Sequence, residues 1–101
     1  MNPRIKHLNI GTNRGERRVW IEGPILADHG WPAGTRYDRE VCVETGKIHL
    51  TREVAGRYKV SGTADRPIID LGGQWMTRWV DASEAESVEV VVTSSTVRIT
   101  V

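Results

Sequence analysis

The sequence predicts a mainly β fold with two short helices, arranged as a small pseudo-two-fold barrel or sandwich of two β-β-α-β-β halves. Three observations lead to this prediction. Apolar and polar residues alternate along several short runs, as they do in half-buried strands. Glycine and proline punctuate the segments between those runs. The pattern of the first half returns about fifty positions later in the second half.

The segment GPILADHGWPAGTRYD, residues 23–38, predicts the first helix and the turn that follows it. Pro24 suits the first position of a helix, where its missing N–H costs nothing and its φ angle is already helical. Gly30 lies where a short helix must end, because glycine best tolerates the left-handed conformation that follows the last turn. Pro32 then prevents the helix from resuming, so the chain is expected to turn into a strand.

Two parts of the chain share one pattern, which divides a single domain into the predicted half-repeats 1–51 and 52–101. Each half has only one apolar strand face, which is too little for an independent fold. The two halves are therefore expected to close one core between them. The matched segments are KHLNIGT with YKVSGT, RVWIEGPILADHGW with PIIDLGGQWMTRWVD, TRYDREVCV with ESVEVVV, and KIHLT with TVRIT.

Alternation also predicts a hairpin at the end of each half. In the first half Tyr37, Val41 and Val43 share one strand face, and the acidic residues between them lie on the other. The turn residues are ETG at positions 44–46 in the first hairpin and TSS at positions 93–95 in the second. Both hairpins are expected to direct one apolar face to the common core.

The large and reactive side chains are expected to divide between core and surface. Trp75 and Trp79 are four residues apart, so they share one face of the second helix, which is expected to face the core. Trp31, next to Gly30, is expected to close one end of the barrel. Cys42 alternates with charged residues, so it should be partly exposed, with no neighbour that activates its thiol.

Length and composition limit the class of protein. The chain has 101 residues, 39% of them hydrophobic, and one cysteine, which excludes an internal disulfide framework and fits a reducing compartment. The first residues are too polar for a signal peptide, and no apolar run is long enough to span a membrane. We therefore expect a soluble cytoplasmic protein. Its net charge of +1 combines a basic N-terminal arm, residues 1–18, with an acidic stretch, residues 81–89.

The segment IEGPILADHGWPAGTRYD, residues 21–38, resembles the SymE-type toxins, which belong to the SpoVT/AbrB superfamily of swapped-hairpin β-barrels. In the second half LGGQWM, residues 71–76, supplies the part of the motif that the first half lacks, and RYKVS, residues 57–61, is similar to the basic strand that precedes it. The first-half residues that carry the resemblance are Ile21, Gly23, Leu26, Gly30, Trp31 in the family's Phe position, and Gly34.

This resemblance implies an AbrB-like barrel, and two features of the chain depart from the family. The superfamily usually builds its barrel from two chains, so a tandem chain is expected to be a monomeric pseudo-dimer. The second half has Val80 and Asp81 where the family shows Gly-Phe, and no glycine follows in DASEAES. The turn after the second helix is therefore expected to be rebuilt.

The function that the resemblance implies is nucleic-acid binding, with RNA or DNA as the partner, in a toxin–antitoxin or phage/mobile-element system. Arginine and lysine on one surface would contact phosphates, and an exposed Trp20 would stack on a base. Strand edges protected by positive charge are the other interpretation of the same cations. The predicted nucleic-acid-binding residues are Arg4, Lys6, Arg14, Arg17, Arg18, Trp20, Arg57 and Lys59.

Two other functions stay open. The near-neutral charge and the acidic stretch fit a protein-binding antitoxin or phage-type inhibitor with a cognate protein partner. An endoribonuclease toxin would need an acid and a base within hydrogen-bond reach, and the adjacent Asp28 and His29 are the candidates. The three histidines and one cysteine lack the spacing of metal ligands, so neither a metal site nor a cofactor is predicted.

Overall fold

The computed structural model describes residues 4–101, and over that range it contains ten strands and two helices, which confirms the mainly β fold class. Residues 1–3 of the basic N-terminal arm lie outside the described range. The first half holds β1 (Arg4–Asn9), β2 (Gly11–Asn13), β3 (Glu16–Glu22), α1 (Pro24–Ala27), β4 (Arg36–Cys42) and β5 (Lys47–Arg52). The second half holds β6 (Tyr58–Lys59), β7 (Ser61–Gly62), β8 (Pro67–Gly72), α2 (Gln74–Ser83), β9 (Ser87–Val92) and β10 (Thr96–Thr100).

The strands form two antiparallel sheets whose order is symmetric between the halves. The larger sheet has the order β1-β9-β10-β5-β4-β6, and the smaller has the order β2-β3-β8-β7. Exchanging each first-half strand for its second-half counterpart reverses both orders and leaves the neighbours the same. The two hairpins meet where β5 pairs with β10, with Ile48 opposite Ile99. This order is a two-fold symmetry of topology, while the closed AbrB-like barrel stays a prediction.

The strand run at the start of each half bends from one sheet into the other. Ile10 separates β1 in the larger sheet from β2 in the smaller, and Val60 separates β6 from β7 in the same way. Both side chains are buried, so each bend lies over the core, like the corner residues of sheets that exchange a strand. Alternation along the sequence predicts the strands but does not reveal the bend, because both arms keep the same period of two.

The first helix follows the local chemistry of its sequence. It begins at Pro24, and Gly30 adopts a left-handed φ of 83° after its last turn. The chain then places Trp31 in the core, where it is fully buried. The prediction of a short helix, a sharp exit and a buried tryptophan is confirmed.

The second helix, α2, is longer than the first, because its ten residues contain neither glycine nor proline. It ends at Glu84, which takes the left-handed conformation (φ 54°) that a glycine would usually adopt. Trp79 is buried and Trp75 is half-buried against the core. The turn after α2 therefore differs from the glycine turn of the family, as expected, because Glu84 ends the helix in place of a glycine. Neither helix within residues 4–101 has the length and apolar character needed to cross a membrane.

Candidate nucleic-acid interface

Arg14 lies at the tip of the β2–β3 hairpin, where the chain needs two left-handed residues. Asn13 pairs with Glu16, so the loop has only two residues, and both have positive φ angles, 54° at Arg14 and 82° at Gly15. This is the geometry of a type I′ turn, whose first position usually holds asparagine, aspartate or glycine. Arg14 is exposed there. The hairpin therefore presents a cation at its tip, at a position where arginine is conformationally unfavourable.

Arg18 is held by an acid of the second half and lies over Trp20. Its Nε and one terminal nitrogen donate to the two carboxylate oxygens of Asp70, at 3.1 and 3.2 Å. Its Cζ atom is 4.2 Å from the centre of the Trp20 ring. Trp20 on β3 pairs directly with Asp70 on β8. Trp20 itself is 37% exposed, which confirms that it lies at the surface. The charge of Arg18 is thus largely compensated, and its guanidinium lies against the indole of Trp20.

Arg17 is not grouped with Arg18, because adjacent residues of a strand point to opposite faces. Its amide N–H donates to Thr77 Oγ1 at 2.8 Å, and that hydroxyl donates to Glu16 Oε2 at 2.5 Å, which ties β3 to α2. The guanidinium Nε is buried and has no hydrogen-bond partner among the described residues. Arg17 lines one shallow cleft with Asp81 and other acids and a second cleft with Arg18 and Asp70. Its side chain and that of Trp20 lie on opposite faces of β3.

Arg4 and Lys6 share one face of β1, as predicted, and both are exposed. They lie opposite Val92 and Val90 of β9. β1 leads to a cleft of about 320 Å³ beside Trp20, lined by Asn9, Gly11, Thr12 and Arg18. Lys6 lies three residues before Asn9, which is roughly 10 Å along the strand. The two cations therefore lie on the edge strand of the larger sheet, on the segment of chain that leads to this cleft.

Arg57 and Lys59 form a second basic group on the opposite side of the fold. Lys59 pairs with Arg36 of β4, and the amide N–H of Arg57 donates to Asp38 Oδ1 at 3.0 Å. Sequence reasoning overlooked Arg36, although it stands next to the aromatic residue that opens the predicted strand. These cations flank β6, whereas β1 and β2 lie at the other ends of the two sheets. The structure does not bring the two basic groups together.

Asp28 and His29 do not form an acid–base pair. Nδ1 of His29 lies 3.1 Å from the carbonyl oxygen of Ile25, and since a carbonyl oxygen only accepts, that nitrogen carries the proton and donates. Asp28 is the exposed C-cap residue of α1. The nearby cation is Arg52, which donates to the carbonyl oxygen of Gly30 at 2.8 Å. One imidazole nitrogen is thus bound to the backbone, and the geometry of this turn is that of a helix end.

Arg39 lies between two aromatic rings, and no motif in the sequence indicates this. Its Cζ atom is 4.3 Å from the centre of the Tyr58 ring and 3.9 Å from the centre of the Trp75 ring. Tyr58 also stacks on Tyr37, which packs against Trp31 in the core. A charged residue on the apolar face of β4, between Tyr37 and Val41, is the one sequence signal that could have identified a partnered cation.

Cys42 is partly exposed, as predicted, but it has a neighbour that affects its thiol. The side-chain hydroxyl of Thr45 hydrogen-bonds to the sulfur and lowers the pKa of Cys42 below its ordinary value. A hydrogen bond to the thiolate favours the charged form. Cys42 is a free cysteine.

The candidate site thus consists of Trp20 with its supporting Arg18–Asp70 pair, the cation at the hairpin tip and the two cations of β1. Among residues 4–101, no group of three or more histidine, cysteine or acidic side chains comes together as a metal site. Comparison with protein-family models, with curated proteins and with solved structures found no match. The resemblance to SymE-type toxins accordingly remains a prediction.

Proposed function

We propose that this protein binds single-stranded nucleic acid across the Trp20 surface, with Arg14, Arg4 and Lys6 as its phosphate contacts. The observation that carries the proposal is the exposed indole of Trp20, fixed beside the guanidinium of Arg18. Unpaired bases stack on aromatic rings and on guanidinium planes, and such stacking tolerates any base sequence. The setting in a toxin–antitoxin or phage/mobile-element system is part of the proposal and comes from the family resemblance.

The arrangement of charge favours a single strand. Asp70 compensates Arg18, and Glu22 Oε2 lies 3.9 Å from Nε of Arg66, which directly precedes β8. The face around the indole therefore carries little net charge. The uncompensated cations stand on either side of it, at the hairpin tip and along β1. A strand could therefore stack one base at the centre and place phosphates at both ends. The path from Arg14 past Trp20 to Lys6 is roughly 25 Å along the strands, enough for about four nucleotides.

No feature of the described residues supports duplex recognition or RNA cleavage in the way that the exposed Trp20 supports single-strand binding. Readers of the major groove commonly insert a helix, but α2 directs Trp79 into the core and packs Trp75 against Arg39. Cleavage would need an acid and a base in contact, and His29 bonds instead to a backbone carbonyl oxygen. We therefore propose binding without cleavage.

The test is fluorescence anisotropy with labelled single-stranded RNA, single-stranded DNA and duplex DNA over a series of salt concentrations. Three phosphate contacts on a single strand predict a slope of log K against log salt of about −2. Replacing Arg14 by Ala should reduce that slope by about 0.7. Replacing Trp20 by Ala should weaken binding by about 1–3 kcal/mol at every salt concentration, because stacking releases no counterions.

A matched control separates this surface from general charge. Lys47→Ala removes an exposed lysine of β5, which lies three strands away from β1 in the larger sheet, and should leave the slope unchanged. The absence of binding at low salt, or full binding by Trp20→Ala, would contradict the proposal. The RNA is also run on a gel, where it should stay intact. Cleavage that His29→Ala abolishes would instead establish an endoribonuclease.

A further inference from the structure

The symmetry of the strand order breaks at one sheet edge. β9 is covered along its whole length by β1, in six residue pairs from Ser87 to Val92. Its counterpart β4 is covered by β6 at two pairs only, Arg36 with Lys59 and Tyr37 with Tyr58. Beyond Tyr37, no strand within residues 4–101 pairs with the outer edge of β4. We call residues 39–42 of β4, together with Val43 of the turn that follows, the open edge.

The connection from β5 to β6 explains why the cover is so short. Only residues 53–57 join the two strands, and they cross directly over the start of β4. The amide N–H of Glu53 donates to the carbonyl oxygen of Arg36. The amide N–H of Gly56 donates to the carbonyl oxygen of Glu53. A Cβ atom on Gly56 would lie 2.6 Å from backbone atoms of Tyr37. The segment is therefore held against Tyr37, and β6 has no residues left to follow β4 further.

Backbone direction shows which groups face the open edge. The carbonyl oxygen of Arg36 points toward the β5 side of β4, where it accepts from the amide N–H of Glu53. The carbonyl oxygen of Thr35 points to the other side, away from β5, and accepts from the amide N–H of Val60. Since successive residues of an antiparallel strand alternate between its two sides, Arg39 and Val41 direct their N–H and C=O groups outward. An extended chain could pair with these groups by strand addition.

The side chains at the open edge have a distinct pattern. Val41 is 36% exposed and Val43 is 52% exposed, although the sequence places both on the apolar face of their strand. Arg39 precedes them on the same face, held between its two rings. Glu40 and Glu44 alternate with these residues and are exposed. The edge thus combines an apolar pair with an acidic flank.

This charge pattern disfavours a second copy as the natural occupant. Antiparallel pairing of two copies about Val41 would set Asp38 of each copy opposite Glu44 of the other. Like charges directly opposite in a sheet are destabilising. Acidic residues therefore protect the edge from self-association, in the way that edge strands are commonly protected, and leave it open to a partner with the complementary charge.

We propose that the open edge binds an extended segment of a partner protein, antiparallel to β4. The segment carries apolar residues opposite Val43 and Val41, a basic residue opposite Glu40 and an acidic residue opposite Arg39. Main-chain hydrogen bonds supply the affinity, and the alternating side chains supply the specificity. This surface is separate from the Trp20 surface, because β4 lies next to β6, towards the opposite end of the larger sheet from β1, and β3 lies in the smaller sheet.

The test uses a capped peptide containing ITVKE, whose residues lie opposite Val43 through Arg39 in antiparallel order. Its control contains ITVEK, which has the same composition with the two charges exchanged. With isotope-labelled protein, ITVKE should slow hydrogen exchange at the amides of Arg39 and Val41 and bind at least about tenfold more tightly than ITVEK. Glu40→Lys should reverse the preference between the peptides, and Glu86→Lys, an equal charge change on the acidic stretch, should not.

Three results would overturn the proposal. The first is equal binding of the two peptides to the unchanged protein. The second is binding that protects amides elsewhere and leaves those of Arg39 and Val41 unprotected. The third is concentration-dependent dimerisation in sedimentation velocity that Glu40→Lys alters, since that would make a second copy the occupant. Glu40 is exposed, so its replacement is not expected to impair folding.

Discussion

The indole Nε1–H of Trp31 donates a 2.8 Å hydrogen bond to the carbonyl oxygen of Thr93, 62 positions later in the chain. Trp31 is fully buried, so this bond joins the exit of α1 to the turn between β9 and β10 inside the core. A single side chain thus connects the two halves by a polar contact as well as by packing.

Replacing Trp31 by Phe should destabilise the protein. The change leaves the carbonyl of Thr93 without this donor and removes buried ring volume, which together cost about 2–3 kcal/mol. Urea unfolding followed by circular dichroism measures the free energy of unfolding. Trp20→Phe, at an exposed position, should change it by less than about 0.5 kcal/mol. Equal effects of the two substitutions would contradict the role of Trp31.

Replacing Arg14 by Asn should stabilise the protein and weaken nucleic-acid binding at the same time. Asparagine tolerates the left-handed conformation of this turn better than arginine, a gain of about 0.5–1 kcal/mol. The substitution also removes the cation at the hairpin tip. Thermal unfolding and anisotropy on the same sample measure the two effects. Arg14→Lys keeps the charge and the strain, so a stability gain in that variant would argue against the conformational explanation.

Arg39 and Trp75 should be energetically coupled. A double-mutant cycle with Arg39→Met and Trp75→Leu isolates their interaction, which we expect to be about 0.5–2 kcal/mol because the guanidinium is partly desolvated between two rings. Urea unfolding of the four proteins provides the values. The control cycle pairs Trp75→Leu with Arg98→Met, on an exposed position of β10, and should show additive effects.

Tyr37 should make the protein lose stability at alkaline pH. Burial raises the pKa of its phenol above the ordinary value of 10.0. Because the folded protein holds the proton more tightly than the unfolded chain, this contribution is fully present below pH 10 and is lost as the pH rises through the folded value. Tyr37→Phe has no phenol to ionise there. The difference in unfolding free energy between the two proteins should be constant below pH 10 and should shift in favour of Phe above it.

Local chemistry was readable from the sequence, and relationships across strands were not. Pro24 and Gly30 set the limits of α1 because each acts on its own backbone conformation, and the exposure of Trp20 follows from alternation with its neighbours. The separation of Arg17 from Arg18 was equally available, since neighbours on a strand point to opposite faces. The pairing of Arg18 with Asp70 depends on the register of β3 against β8, which only the assembled sheet determines.

The open edge and the Arg39 contacts could not be predicted from the sequence either, because both depend on how separate strands and helices pack together. The partners of Arg39 lie in β6 and α2, and nothing near position 39 identifies them. The sequence pattern predicts Val41 and Val43 as core residues, because alternation indicates which face a side chain lies on and not whether a neighbouring strand covers it. Their exposure follows from the short connection between β5 and β6, a consequence of chain path rather than of residue type.

The interleaved strand order also bears on how this protein is made. β1 pairs with β9, β3 with β8, and β5 with β10, so most of the sheet partners of the first half are synthesised after it. At about 5–20 residues per second, the first fifty residues wait on the order of several seconds outside the ribosome before their partners emerge. During translation the nascent chain therefore exposes unpaired strands. Two chains that are being made on neighbouring ribosomes of one mRNA could then pair the first half of one chain with the second half of the other.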